Sequence, residues 1–490
     1  MHNGQMQYHH SKKQRFLLLL LIIGIILFHF LTTLQGQSWG DDFALFLLHA
    51  KNIVEGNSYS ETGFIFNPLS LSYSPQNYPP GFPLLISPLY KIFQLNFFIY
   101  HLFITCFFAG MLWLSYLLVR KYFSFYYAIA FIIVLGMSPY LWSLRNNVLS
   151  DFPATFFLML AIFIELKRDT SNNKLLPVAE GLAMYISFSM RSSGIVLLPA
   201  LLYRYFFKKK RKDNYFPVII IVFLIPYILQ SFLMPSEGGH LNMMKLNYEG
   251  LSLQKIMNDF FFQVNRYVDD FRYFTLVSGI NRDLNIAFST ICFTLFLAGW
   301  YLFSRKRLSF IDVFIILFFG LIFVWPFFQG IRYLLPVLPF YVFFSIYAVQ
   351  SIDSATFRKV LAGTCILCTC IVYNGFYSTT HYGTLKYGVN YSSNQEMFNY
   401  IKTNTEPDAV IMSTKPRAFT LLTGRKGIVY PDAKHWDKYE TCLSENKVGY
   451  IVTGGIDYND LPVTAAKEDT SVFQLIFSNS DLALYKVNHH

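Results

Sequence analysis

Residues 16–34 read FLLLLLIIGIILFHFLTTL, and after a short polar break the chain continues Ser38-Trp39-Gly40-Asp41-Asp42-Phe43-Ala44. An apolar run of this length crosses a hydrocarbon core of roughly 30 Å, which takes about 20 helical residues. Two carboxylates therefore stand just beyond the end of a membrane helix. Left unpaired at such a low-dielectric boundary, they would resist ionisation unless a cation or a donor group held them.

Outward from this stretch the same alternation repeats. The 490 residues are 54% hydrophobic, 19% aromatic and only 14% charged, with a mean hydropathy of +0.37, which excludes an ordinary soluble multidomain protein. Eleven apolar runs predict transmembrane helices near 16–34, 97–119, 125–143, 152–166, 176–190, 193–207, 216–234, 285–303, 310–328, 333–350 and 360–378. Every second turn is basic: Lys12, Lys13 and Arg15; Arg120 and Lys121; Lys167 and Arg168; Lys208 to Lys212; Arg305 to Arg307; Arg358 and Lys359. Cytoplasmic turns carry such an excess, so the N-terminus is expected inside and residues 379–490 outside, on the Asp41 side. The tail holds 11 Lys and Arg against 12 Asp and Glu, so the net charge of +11 belongs to the membrane part. Basic inner loops account for it without a nucleic-acid partner.

The first run is read as a retained helix and not a cleaved leader, since no small-residue cleavage site follows it. Of the six cysteines, Cys106, Cys292, Cys365, Cys368 and Cys370 fall in apolar runs and read as buried small hydrophobes. Cys442 has no outside partner, so no disulfide is expected. Segments 35–96, 144–151 and 235–284 are the larger outer loops, with interfacial helices expected at Phe43–Val54 and Pro83–Phe93. The fold is thus mainly α: a polytopic helical membrane domain over 1–378. A small α/β domain over 379–490 has helices at 394–403, 417–422 and 438–445, strands at 409–413, 427–430 and 450–453, and a closing hairpin over 472–487.

Polar residues gather on one side. Arg145-Asn146-Asn147-Val148-Leu149-Ser150-Asp151-Phe152-Pro153 puts a cation before a carboxylate that enters a helix. Arg145 can clamp a phosphate and Asp151 can orient it or a metal; Ser150 or Asp151 can equally serve as a helix cap ahead of Pro153. Arg191 and Arg332 also sit at outer helix ends, against the positive-inside bias, and an anionic ligand gives them a reason. Asp41 and Asp42 either solvate their loop or accept a proton from an acceptor hydroxyl. There is no Gly-rich phosphate loop, no His pair at metal spacing and no nucleophile elbow; His240 reads as a surface residue.

The layout resembles the GT-C superfamily of polytopic glycosyltransferases, in particular protein O-mannosyltransferases and the aminoarabinose transferases that modify lipid A. The residues that carry the likeness are Gly40-Asp41-Asp42-Phe43-Ala44, Tyr78-Pro79-Pro80-Gly81-Phe82-Pro83-Leu84, Ser150-Asp151-Phe152-Pro153, Arg191-Ser192-Ser193-Gly194 and Arg332-Tyr333-Leu334-Leu335-Pro336. The resemblance implies transfer of a hexosyl or pentosyl group from a polyprenyl-phosphate donor to a lipid, glycan or protein acceptor outside a bacterial inner membrane. It implies Asp41 as general base with Asp42 beside it, and Tyr78, Arg145, Asp151, Arg191 and Arg332 as donor-phosphate or substrate contacts. Tyr78 stands where relatives often carry Lys or His, and Asp42 where they carry Glu. A divalent metal ion stays open as a cofactor, because carboxylates alone do not choose between base and ligand. A non-catalytic polysaccharide-assembly factor and a transporter are the competing readings; the second would place ionisable groups at mid-membrane.

Overall fold

The computed structural model describes residues 8–70, 75–168, 170–171, 173–207, 215–234, 239–272, 274, 282–305, 308–385, 387–454 and 471–488. The basic turn Lys208–Lys212, residues 306–307 of a second basic turn, and residues 235–238, 273 and 275–281 of the third loop lie outside the described residues.

Each apolar run is helical. Helix α1 (Lys12–Leu31) opens on Ser11, whose hydroxyl accepts the Gln14 amide while the Gln14 side chain accepts the Ser11 N–H. In the loop that follows lie α2 (Asp42–Glu55), the two-residue strand β1 (Phe64–Ile65) and α3 (Gly81–Phe93). Then come α4 (Phe97–Val119), α5 (Phe125–Gly136), α6 (Pro139–Arg145), α7 (Asp151–Arg168), α8 (Leu176–Met190), α9 (Leu197–Phe207) and α10 (Phe216–Leu233). The third loop contributes α11 (His240–Tyr248) and α12 (Leu253–Arg272), before α13 (Arg282–Ser304), α14 (Phe310–Val324), α15 (Leu338–Gln350) and α16 (Ala355–Thr379).

Eleven runs do not make eleven full-length spans. Among the described residues α1, α4, α10, α13 and α16 are each long and apolar enough to cross a membrane, and α5 with α6, bent by 44°, makes a sixth if read as one broken span. The others are shorter, or, like α7, carry charge at both ends. The faces of α1, α10 and α16 that turn away from the bundle expose Leu20, Leu27, Ile225, Leu229, Ile366 and Leu367. A contiguous apolar surface of this kind suits lipid rather than water.

Inside the bundle, packing is aromatic. Phe271, Phe296 and Tyr341 meet with ring centroids 4.6–5.3 Å apart. Helix α13 approaches α15 so closely at Gly299 that a Cβ there would overlap the Phe344 carbonyl, the small-residue contact by which helices associate in lipid. Helices α7 and α8 are clamped at both ends: Asp151 pairs with Arg191 at one, and at the other Arg168 lies 2.8 Å from both Glu165 and Glu180.

After α16 the chain runs back along the start of the first loop, where Leu385 N–H donates to Gln35 O and Val389 N–H to Gln37 O. It then forms α17 (Ser392–Asn404), β2 (Val410–Ser413), α18 (Pro416–Thr423), β3 (Lys426–Val429), α19 (Tyr439–Glu445), β4 (Val448–Gly454), β5 (Phe473–Ser478) and β6 (Leu482–Val487). The sheet order is β1-β3-β2-β4-β6-β5, parallel through β4 and antiparallel beyond. Its first strand therefore comes from the loop and not from the tail: Phe64 pairs with Gly427 and Ile65 with Ile428. Loop and tail are one structure, which the division at residue 379 does not anticipate.

Substitution Gly299→Leu forces α13 off α15 and is expected to cost about 1–3 kcal/mol, lowering the melting temperature in detergent. Gly24→Leu on α1, with open space around its Cβ position, leaves the melting temperature unchanged.

Candidate active site

Asp42 opens α2, where a carboxylate gains from the helix dipole. Its Oδ1 accepts the Tyr78 hydroxyl at 2.6 Å, and its Oδ2 accepts Arg332 Nη1 at 2.6 Å. The Tyr78 ring is fixed by stacking on Phe46 from α2, centroids 4.6 Å apart. Arg332 lies in the turn between α14 and α15, just after Gly330, whose φ of +65° suits glycine. Its Nε reaches both carboxylate oxygens of Asp151 at 3.0 Å, and Arg191 Nη1 pairs with Asp151 from the other side. The Arg191 guanidinium also lies 4.8 Å from the centroid of the Tyr333 ring. One guanidinium thus bridges carboxylates on α2 and α7.

Asp41 faces elsewhere. It occupies the position before α2 but does not cap that helix. Its oxygens accept the backbone N–H groups of Ala418 at 3.0 Å and Arg417 at 3.3 Å, so it caps α18 of the tail. The Arg417 side chain, fully buried, reaches Asp41 and Asp42 at 3.8 Å each. Asp41, Asp42 and Asp151 are thereby balanced by Arg191, Arg332 and Arg417. A cavity of about 260 Å³ opens beside them, lined among others by Asp41, Asp42, Asn147, Gln329, Arg332 and Lys415.

Burial opposes the charge on Asp42, but Arg332, the Tyr78 hydroxyl and Arg417 outweigh it and hold the carboxyl well below the usual carboxylate range. The acid is therefore ionised throughout neutral pH. Among the described residues no three of His, Cys, Asp and Glu come together as a metal donor set, and a guanidinium occupies the space between Asp42 and Asp151. The residues present do not fit a divalent ion, and no step is routed through one.

Two sequence expectations need correction. Arg145 does not join the cluster: it is fully buried, and its donors are spent on His29 Nδ1 at 2.7 Å, Thr33 Oγ1 at 3.2 Å, Asn146 Oδ1 at 3.1 Å and both oxygens of Thr32. It ties the end of α1 to α6 and is no phosphate grip. His240 is half-buried rather than on the open surface: its ring packs between Tyr78 and Trp325, at centroid distances of 6.1 and 5.3 Å, and lies 3.2 Å from Ser192 Oγ. Burial and Arg191 push its imidazole down to about 4, with Asp42 acting the other way, so it is neutral at pH 7. Arg417, too, belongs to the site; the sequence signal for it was slight, a Lys415-Pro416-Arg417 helix start.

Removing Arg332 takes a charged partner from the buried Asp151 and from the half-buried Asp42, so Arg332→Gln is expected to cost about 3 kcal/mol, read as a lower melting temperature in detergent. For a group with depressed pKa, the stabilisation is complete above its unfolded value of about 3.9 and is lost as pH falls below it. The deficit of the variant therefore stays constant from pH 8 to pH 5 and shrinks under stronger acid.

No family model matches the chain, and no curated protein matches it in sequence. Solved structures match it over nearly its whole length. ArnT from Cupriavidus metallidurans in the apo state is 12% identical with a TM-score of 0.59, covering 97% of this chain and 98% of its own. The archaeal oligosaccharyltransferase AglB from Archaeoglobus fulgidus, in complex with an inhibitory peptide and a dolichol-phosphate, is 13% identical with a TM-score of 0.59, over 91% of this chain and 70% of its own. The mycobacterial arabinofuranosyltransferase AftD is 9% identical with a TM-score of 0.55, over all of this chain and 41% of its own. The chain shares its overall fold with these three proteins.

Proposed function

We propose that the protein is an integral-membrane glycosyltransferase that moves a sugar from a polyprenyl-phosphate carrier to an acceptor hydroxyl on the outer face. The observation that carries this reading is the Arg332 bridge between Asp42 and Asp151 at the edge of the cavity. Proteins of this fold have been solved with such carriers, ArnT with undecaprenyl phosphate and AglB with a dolichol-phosphate. The basic turns support an N-terminus inside and a tail outside.

In the step we infer, Arg332 and Arg191 receive the donor phosphate, with Asp151 holding both guanidiniums. The acceptor oxygen forms a bond to the anomeric carbon as the bond from that carbon to the phosphate oxygen breaks. The electron pair leaves with the polyprenyl phosphate, whose growing charge the arginines stabilise, and the acceptor proton passes to a carboxylate. The resemblance implies Asp41 as that carboxylate, but its oxygens are occupied by the N-terminus of α18. We therefore assign the base to Asp42, which is partly exposed toward the cleft. At rest its low pKa makes it a weak base. Drawing Arg332 onto the phosphate removes its strongest partner and raises its basicity in the complex that reacts. A single displacement of this kind inverts the anomeric centre.

Purified protein incubated with a panel of polyprenyl-phosphate sugars and a membrane extract is expected to transfer one of them. Asp42→Asn is expected to lower kcat by about 10²–10⁴-fold without loss of folded protein. Asp41→Asn is expected to lower stability by about 1 kcal/mol and kcat by less. Equal loss of kcat in a folded Asp41→Asn protein would return the base to Asp41.

A further inference from the structure

The tail domain enters the site through one side chain. Arg417 has no exposed surface, and a guanidinium so placed needs anions and acceptors around it. It has them: Nη1 lies 3.8 Å from Asp42 Oδ1, Nε 3.8 Å from Asp41 Oδ2, and Nη2 donates to the Pro75 carbonyl at 2.6 Å. The guanidinium carbon lies 4.4 Å from the centroid of the Phe64 ring and 5.6 Å from that of Tyr78. Phe64 is in β1, the strand the loop lends to the tail's sheet. The arginine is therefore held by both halves of the molecule at once.

We propose that Arg417 is a positioning residue for Asp42, so that the site is incomplete without the tail domain. This rests on the glycosyltransferase reading above. The two adjacent acids are sorted by the tail. Asp41 is taken by the backbone N–H groups at the start of α18 and by Arg417 Nε, and is held away from chemistry. Asp42 keeps its Oδ2 on Arg332 and its Oδ1 toward Tyr78 and Arg417. Arg332 is the partner that the donor phosphate draws away. Once it is engaged there, Tyr78 and Arg417 alone hold the Asp42 carboxylate, and only Arg417 carries a charge. The tail's cation then fixes the rotamer of the base and keeps it ionised while the acceptor binds. Arg417 touches neither donor nor acceptor in this scheme and acts through Asp42.

The test compares wild type, R417Q and R417K as full-length detergent-purified protein, with D42N as reference. Donor KM and kcat are measured from pH 4.5 to pH 8, and the folded fraction is measured by size exclusion and thermal melting. Among the described residues, the charged or titratable groups around Asp42 are Asp41 beside it, Tyr78 on the loop, His240 on α11, Arg332 and Tyr333 before α15, Lys415 on the shared cavity wall, and Arg417 on α18. Only the last is altered. R417Q is expected to lose about tenfold or more in kcat at pH 7 at unchanged donor KM, with the acid limb of kcat moved up by about one pH unit; R417K should fall between. A melting point lowered in R417Q with kcat per folded molecule and its pH profile as in wild type would overturn the proposal, leaving Arg417 a docking contact. If R417Q does not fold, R417K is read alone, a shifted limb supporting the proposal and a wild-type limb overturning it. Absence of transfer by wild type defeats the glycosyltransferase reading itself and this inference with it, whereas wild-type transfer with an unshifted R417 variant defeats the inference alone.

Discussion

The geometry of the site hangs on one guanidinium shared by two carboxylates. Asp42 starts α2, Asp151 starts α7, and Arg332 comes from the turn before α15. No local propensity brings these three elements together. Burying each acid alone is costly, and so is burying the arginine; together they neutralise one another and link the ends of elements that also share one apolar core. Arginine suits the role where lysine would not, because its planar fork can face two acids in different directions. The same fork is the group a phosphate would take in the proposed reaction, so the interaction that organises the site is also the one a substrate would rearrange.

Around that bridge the molecule limits what can move. Helices α7 and α8 are held at the far end by Glu165, Arg168 and Glu180, with Arg204 of α9 also pairing with Glu165. Such buried pairs are weak evidence for net stability, but removing one partner strands the other. Their value here is geometric: the hairpin that presents Asp151 and Arg191 cannot slide along its axis without breaking both sets. On the other side, the loop that connects α2 to α3 contributes β1 to the tail's sheet.

Much of this was legible in the sequence because it broke a rule. Arg191 and Arg332 stood out as cations on the side where cations are scarce, and the structure brings both to Asp151. Arg145 gave the same signal and was misread, since its partners are His29 and two threonines at the end of α1, uncharged acceptors that no charge pattern reveals. Arg417 went unread for the opposite reason. In a tail with nearly balanced charge, an arginine at the start of a helix is ordinary, and only the approach of α18 to Asp41 makes it otherwise. The tail's helices and longer strands fell close to where period and punctuation put them. Strand β1, two residues long, has no period to read. The apolar runs are helical, and among the described residues five of those helices are long and apolar enough to cross unaided.

The bond from Ala418 to Asp41 joins residues 377 positions apart, and the β1 pairing is of the same kind. A chain made from its N-terminus inserts its first helix and its paired acids long before α18 exists. Through nearly the whole of synthesis the acids lack the tail's donors, and the loop strand lacks its neighbour. Contacts this distant in sequence form last. Timing thus follows topology: a truncated or half-inserted chain holds the paired acids without the N–H groups of α18 that Asp41 accepts and without the strand that pairs with β1.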